Sequence, residues 1–112
     1  MFFTLPLPPS VNRMYGLKGH IRFPSKELKV WQEEAWYIIK AKRPKTLKGD
    51  VSVAIHYFLK FKRDIDSGKA LLDILEKAGV VENDNQVVDL HVKKHSDKSN
   101  PRVEIEVKPY ES

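Results

Sequence analysis

Alternating apolar and polar residues predict the strands of this chain. Between residues 51 and 59 every second residue is apolar, and the residues between them are apolar enough to predict cover on both faces. Residues 86–93 and 102–108 form two further alternating runs, whose apolar positions would meet across an antiparallel hairpin. Residues 2–7 are a shorter candidate strand, which ends at Pro8-Pro9.

Apolar residues at helical spacing predict two helices. The first begins after Ser25, a residue type that caps helix N-termini, and runs to about Lys42. The second covers residues 67–78 and stops at Gly79, a residue type that suits the position after a helix C-terminus. Residues 10–24 show no clear period, so a long loop is predicted there.

The order of these elements predicts the fold class. A strand, a helix and a strand follow one another between residues 51 and 92, which predicts a right-handed crossover and a mixed sheet. We expect an α/β fold that borders on α+β, with two main helices packed on a mixed four-stranded sheet. Residues 1–112 are predicted to form a single domain, since this length encloses one modest core.

Composition narrows the class of protein. Hydrophobic residues make up 41% of the chain and charged residues 31%, the balance of a soluble globular protein. No apolar run approaches the ~20 residues that cross a bilayer, and the N-terminus lacks a basic region, so neither a membrane span nor a signal peptide is expected. The chain has no cysteine, which predicts a cytoplasmic location without disulfides.

The excess of positive charge favours a polyanionic partner. Lysine and arginine number 20 against 15 aspartates and glutamates, and the net charge is +5. Phosphate contacts release counterions, so clustered cations favour nucleic-acid binding. One cluster ends the first helix, where its side chains would contact phosphates rather than bases or would form a solvated helix end. Its members are Lys40, Lys42, Arg43 and Lys45.

Two aspartates after the long strand form the candidate chemical centre. Asp64 and Asp66 are two residues apart, so both carboxylates point to one side of an extended segment. Mg²⁺, which prefers oxygen ligands, would relieve their mutual repulsion. Asp84 is a third candidate ligand, provided that the linking loops fold back toward it. In the structural alternative, Asp66 caps the second helix and Asp84 is a turn residue.

The four histidines show no metal-ligand spacing. His56 is expected to pack within the sheet, and His91 to pair with Asp89 on its solvent face.

Five segments, in their order and spacing, resemble the RusA-type Holliday junction resolvases, small endodeoxyribonucleases common in prophages and bacteriophages. They are residues 7–15 (LPPSVNRMY), 63–66 (RDID), 71–75 (LLDIL), 77–81 (KAGVV) and 84–89 (DNQVVD). The resemblance therefore covers most of the chain, and it implies a prophage origin.

The resemblance implies a Mg²⁺-dependent homodimer without an organic cofactor, in which Mn²⁺ is a plausible substitute. Such an enzyme binds four-way DNA junctions and nicks two opposing strands symmetrically during DNA recombination and repair. The family's acidic triad corresponds to Asp64, Asp66 and Asp84, and its essential lysine corresponds to Lys69. The two-fold symmetry of a junction also favours two symmetry-related active sites.

The chain departs from the family pattern around this lysine. Ser67 stands where the family commonly has Asn, and Asn83 where relatives often have a further Asp. Lys69 follows Asp66 by three residues instead of four, which corresponds to a rotation of ~100° on a helix. Either the first turn of the helix is rearranged or the amine approaches from another angle; an exposed first-turn lysine is the structural alternative.

Four further residues are candidate DNA contacts. Asn12 and Arg13 lie in the predicted loop, where they contact DNA near the scissile phosphate or help to close the loop. Lys62 and Arg63 precede the acidic pair, and Arg63 either holds a phosphate or pairs with the acidic cluster. The competing hypothesis for the whole chain is a non-catalytic basic protein that binds branched DNA or RNA.

Overall fold

A computed structural model of the protein describes residues 1–10, 13–18, 21–61 and 68–111. The strands are β1 (Phe2–Leu5), β2 (Tyr15–Lys18), β3 (Ile21–Pro24), β4 (Val51–Leu59), β5 (Val87–Ser96) and β6 (Arg102–Pro109). The helices are α1 (Lys26–Ala41) and α2 (Lys69–Lys77), and a 3₁₀ turn spans Asp84–Gln86. Within the described ranges, neither helix is long and apolar enough to cross a bilayer.

Four of the strands form a mixed sheet in the order β1-β6-β4-β5. The central strand β4 is parallel to β5 and antiparallel to β6, and β6 is antiparallel to β1. The two helices and the mixed four-stranded sheet confirm the predicted architecture, which falls on the α+β side of the expected boundary.

The predicted hairpin between the last two strands is wrong. β4 lies between β5 and β6, so Ile55 is the register partner of both Val92 and Ile105. The connection between β5 and β6 therefore passes over the end of β4. The guanidinium of Arg102 stabilises this connection by donating a hydrogen bond of 2.9 Å to the carboxylate of Asp97. The most apolar strand takes the central place because there it gains a neighbour on each side.

The long loop predicted for residues 10–24 is also wrong in part. β2 and β3 form a separate antiparallel ribbon, in which Tyr15 pairs with Pro24. Gly16 allows the ribbon to close, since a Cβ atom at this position would lie 2.5 Å from the ring of Phe23. The ribbon is not part of the main sheet, and its residues consequently lack the alternation that marks a half-buried strand.

The first helix begins as the sequence predicts. The hydroxyl of Ser25 accepts a hydrogen bond of 3.1 Å from the backbone N–H of Leu28, which satisfies one unpaired donor of the first turn. The indole N–H of Trp31 donates to the carbonyl of Pro6 at 2.7 Å and joins the helix to the segment after β1. The buried face of the helix consists of Leu28, Trp31, Ala35 and Ile39.

Both helices pack on one face of the sheet. The odd-numbered residues of β4 are buried in a single core with the apolar faces of α1 and α2. On the opposite face, Phe58 is half-buried in an open groove of ≈ 340 Å³. Among the described residues the predicted cover of this face is missing, because same-face neighbours shield Phe58 there instead of a second layer. His95 stacks on its ring at 4.7 Å, and the Arg102 guanidinium lies 3.9 Å from its ring centre.

Candidate active site

Asp84 begins a 3₁₀ turn that the side chain of Gln86 holds in place. The side-chain oxygen of Gln86 accepts hydrogen bonds from the backbone N–H groups of Glu82 at 2.7 Å and Asn83 at 3.0 Å. The side-chain nitrogen donates to two backbone carbonyls of the loop before β4, at 3.0 and 2.8 Å. Gln86 therefore connects the turn to the loop before β4 and fixes the position of Asp84.

The carboxylate of Asp84 is available to a ligand. The backbone N–H of Asp84 donates to the carboxylate of Glu76 on α2 at 2.8 Å, which orients the residue. Its side chain is exposed, and among the described residues no donor contacts its carboxylate. The residue is thus part of a turn, as in the structural alternative, and its carboxylate is exposed and accepts no hydrogen bond from the residues that the structure describes.

Asp73 on α2 lies within electrostatic range of Asp84, and the sequence pattern did not predict a role for it. Partial burial raises the pKa of the Asp73 carboxyl above its usual value, and Lys69 and Lys77 oppose this rise. The neighbouring carboxylates of Asp84 and Glu76 add to the rise in pKa. Asp73 therefore lies within electrostatic range of both Lys69 and Asp84. The sequence could have indicated this, because Asp73 lies four residues from Lys69 and from Lys77, a spacing at which side chains on a helix are neighbours.

Lys69 is the first residue of α2. Gly68 occupies the N-cap position in a left-handed conformation, with φ of 88°, and provides no side-chain cap. The alternative in which Asp66 caps this helix is therefore wrong, because the helix starts two residues later than predicted. Ala70, the position four residues after Asp66, is 4% exposed and belongs to the core. The exposed position of the first turn is thus that of Lys69.

Several predicted site residues lie outside the described residues: Asn12, Lys62, Arg63, Asp64 and Asp66. β4 ends at Leu59, and the described residues continue to Phe61 and resume at Gly68, where a Cβ atom would lie 2.8 Å from Ile55. It has therefore returned to the middle of β4 before α2 begins. Asp84 precedes Val87 at the other end of that strand. Whether Asp84 meets Asp64 and Asp66 stays a prediction, since both of these lie outside the described residues.

The predicted DNA contacts of α1 do not form one patch with Arg13. The carbonyl of Arg13 accepts a hydrogen bond from the Ser25 hydroxyl at 2.6 Å, at the start of α1. The basic cluster lies at the other end of this helix of 16 residues, about 24 Å away. Within the cluster, Lys42 donates to the carbonyl of Phe2 at 2.7 Å and holds β1. The remaining exposed cations are Lys40, Arg43 and Lys45.

Two histidines form a contact that their spacing did not predict. The parallel register of β4 and β5 brings His56 Nδ1 to 2.7 Å from His95 Nε2 on the open face of the sheet. In the part of the chain that the structure describes, no three His, Asp or Glu side chains group into a metal site. The predicted pair of His91 and Asp89 is confirmed, at 3.1 Å.

Comparisons with known proteins match nearly the whole chain. Residues 6–108 match the family model described as endodeoxyribonuclease RusA. The chain is also similar to the crossover junction endodeoxyribonuclease RusA of Aquifex aeolicus (strain VF5), with 35% identity over 112 residues. This alignment covers 96% of the chain and 88% of the relative.

Proposed function

Because the chain belongs to the endodeoxyribonuclease RusA family, we propose that it hydrolyses phosphodiester bonds of four-way DNA junctions by paired, symmetric nicks. The observation that carries the proposal is Asp84. Its exposed carboxylate meets no donor among the described residues, yet the hydrogen bonds of Gln86 hold the turn in place. An exposed carboxylate positioned in this way, with no donor from the described part of the chain, suits a ligand from outside the chain.

We propose that Asp64, Asp66 and Asp84 hold Mg²⁺, and that Mn²⁺ can replace it. The exposed carboxylate oxygen atoms of Asp84 match the preference of a hard cation. The neighbouring carboxylates of Asp73 and Glu76 add to the negative potential around this position. When bound, the ion supplies charge stabilisation at the phosphate and lowers the pKa of a water molecule.

The cationic side chains have a separate task in this proposal. Lys69 stabilises the extra negative charge that develops on the phosphate as water attacks in line. The products are a 5′-phosphate and a 3′-hydroxyl. Contacts with the DNA backbone come from Asn12, Arg13, Lys40, Lys42, Arg43, Lys45, Lys62 and Arg63.

A homodimer follows from the symmetry of the substrate, and we propose one for this chain. Two opposing strands are nicked symmetrically when two active sites are related by the same two-fold axis as the junction. Light scattering after size-exclusion chromatography measures the mass, which we expect to be twice that of the chain. A cytoplasmic location, a prophage origin and a role in DNA recombination and repair stay predictions.

A cleavage assay tests the proposed activity directly. Purified protein is incubated with a labelled four-way junction and with a linear duplex of the same sequence, with and without Mg²⁺. We expect paired nicks on opposing arms of the junction that require the ion. Binding without any cutting would favour the non-catalytic alternative, whereas equal cutting of both DNAs would assign a less selective nuclease.

Replacing the anchor of the Asp84 turn tests how the site is positioned. Gln86→Leu removes four hydrogen bonds of the turn, each worth about 0.5–1.5 kcal/mol net. Because part of the turn is exposed to water, we expect a loss of about 2–3 kcal/mol in the free energy of unfolding. Chemical denaturation measures this change, and junction cleavage should fall as Asp84 loses its support.

Asn85→Ala is the matched control for the turn. The backbone N–H of Asn85 bonds to the Asn83 side chain at 2.9 Å, and alanine retains this N–H group. Stability and cleavage should therefore stay close to those of the unaltered protein. Equal stability of Gln86→Leu and the unaltered protein would show that Gln86 does not hold the turn.

The pH dependence of stability tests the environment of Asp73. Its folded-state pKa is raised by burial, so its contribution to stability is fully present below its unfolded-state pKa and is lost as the pH rises through the higher folded-state pKa. Asp73→Asn, which stays uncharged, should raise the melting temperature near about pH 7, by at most about 4 °C. The gain should disappear near about pH 3, and a gain of equal size at both pH values would contradict the assigned cause.

A further inference from the structure

A groove lies between the two helices, and it shares α2 with the candidate active site. It has a volume of ≈ 310 Å³ and lies between residues of α1 and the carboxyl-terminal half of α2. Lys77 lines it and is also within electrostatic range of Asp73, the neighbour of Asp84. Lys77 thus links the groove, which we call the α1–α2 groove, to the surroundings of Asp84.

Two aromatic rings give the α1–α2 groove a surface on which a flat ligand can stack. Tyr37 is 61% exposed, although large apolar surfaces are usually buried. Its ring meets that of Trp36 edge to face, with ring centres 5.1 Å apart and planes at 86°. Lys40 lies 5.8 Å from the ring centre of Trp36. The paired rings thus offer an exposed face at a defined position.

The charges around the rings favour a polyanion. Lys29 and Lys77 line the groove with the aromatic pair, Lys40 lies beside it, and Glu33 is the carboxylate among the lining residues. A two-fold contact between copies of the chain through this groove would bring like-charged lysines together, which is unfavourable. The groove on the open face of the sheet also contains aromatic rings, but Glu104 and Glu106 line it, and their negative charge disfavours a polyanion there.

We propose that the α1–α2 groove binds an unpaired DNA base next to the cleavage site. The base stacks on the exposed ring of Tyr37, which Trp36 supports edge to face, and the flanking phosphates contact the three lysines. Every base has a flat face, so this contact would favour unpaired nucleotides without selecting a sequence. The inference rests on the proposed function, and it adds a basis for choosing branched DNA, because base pairs at a branch point unstack more readily than those within a duplex.

Substitution of Tyr37 tests the inference through binding, measured without metal. Fluorescence anisotropy with a labelled single-stranded dT oligonucleotide should show about 10-fold weaker binding for Tyr37→Ala, since stacking on one aromatic side chain is of that order. Tyr37→Phe should bind normally because it retains the ring. Tyr110→Ala is the matched control, since Tyr110 is also exposed, at 42%. Melting curves check that each variant is folded.

The possible outcomes separate the groove from the proposed activity. Unchanged dT affinity of Tyr37→Ala would overturn the groove assignment even if the unaltered protein cuts junctions. If Tyr37→Ala keeps its DNA affinity but has a smaller molecular mass in solution than the unaltered protein, the groove is instead an interface between copies of the chain. If the unaltered protein cuts no junction while Tyr37→Ala loses dT binding, the groove assignment stands and the proposed activity fails.

Discussion

Asp84→Asn should abolish junction cleavage while junction binding is kept or strengthened. The amide has nearly the same shape as the carboxylate but lacks its charge, so the proposed cation loses a ligand at an otherwise intact turn. Even the loss of a group that only supports a metal ligand lowers activity about 10- to 100-fold, so we expect a loss of more than about 100-fold in the cleavage rate. Removing a negative charge from the protein near the DNA phosphates lowers the repulsion between them, so junction binding should not weaken.

Asp50→Asn is the matched control for this loss of charge. Asp50 is exposed and directly precedes β4, at the end of the sheet where Asp84 lies. Cleavage is measured at saturating protein concentration, and junction affinity is measured by gel shift without metal. Full cleavage by Asp84→Asn would show that Asp84 is not a metal ligand. An equal loss of cleavage rate in both variants would show that the effect comes from charge alone.

The elements of this fold that have an unambiguous local pattern could be predicted from the sequence. Ser25 caps α1 as expected, because its hydroxyl needs only the N–H of Leu28 in the next turn. β4 follows its alternation from Val53 to Leu59, since one face is buried in the core, and only Ser52 departs from it. Gly79 follows α2 in the left-handed conformation, with φ of 77°, as its position predicts. In these cases the pattern that reveals the element lies within a few neighbouring residues.

The pairing of the strands could not be predicted, because it depends on contacts distant in the sequence. β5 and β6 follow one another and both alternate, so a hairpin satisfies every local rule. The structure instead places each of them against β4, where Ile55 pairs with both. The contact between His56 and His95 was missed for the same reason, since it arises from the parallel register.

The candidate site shows the same division. Asp84 could be selected from the resemblance, but its anchoring by Gln86 depends on carbonyls 39 and 37 positions away in the sequence. Asp73 was missed because it resembles an ordinary surface carboxylate of an amphipathic helix. Its raised pKa depends on partial burial and on the approach of Asp84, neither of which a helical pattern reveals.

Lys69→Ala should lower junction cleavage about 10²- to 10³-fold, the effect of losing one group that stabilises transition-state charge. Junction affinity should change little, because one exposed lysine contributes a small part of the backbone contacts. Lys69→Arg, which retains the charge, should recover part of the rate. Lys98→Ala is the control, since Lys98 is an exposed cation in the loop between β5 and β6. Single-turnover cleavage and gel shift measure the two effects.

Moving the lysine by one position tests why the spacing differs from the family pattern. The combined change Lys69→Ala and Ala70→Lys places the lysine four residues after Asp66, which is the family spacing. It also puts an ammonium group at the position of Ala70, which is only 4% exposed. An uncompensated buried charge costs about 3–5 kcal/mol, so the variant should be strongly destabilised and should not recover cleavage. Because Gly68 caps α2, the residue after it is the one that reaches solvent in the first turn. Recovery of cleavage in a stable double variant would refute this explanation and the assignment of Lys69.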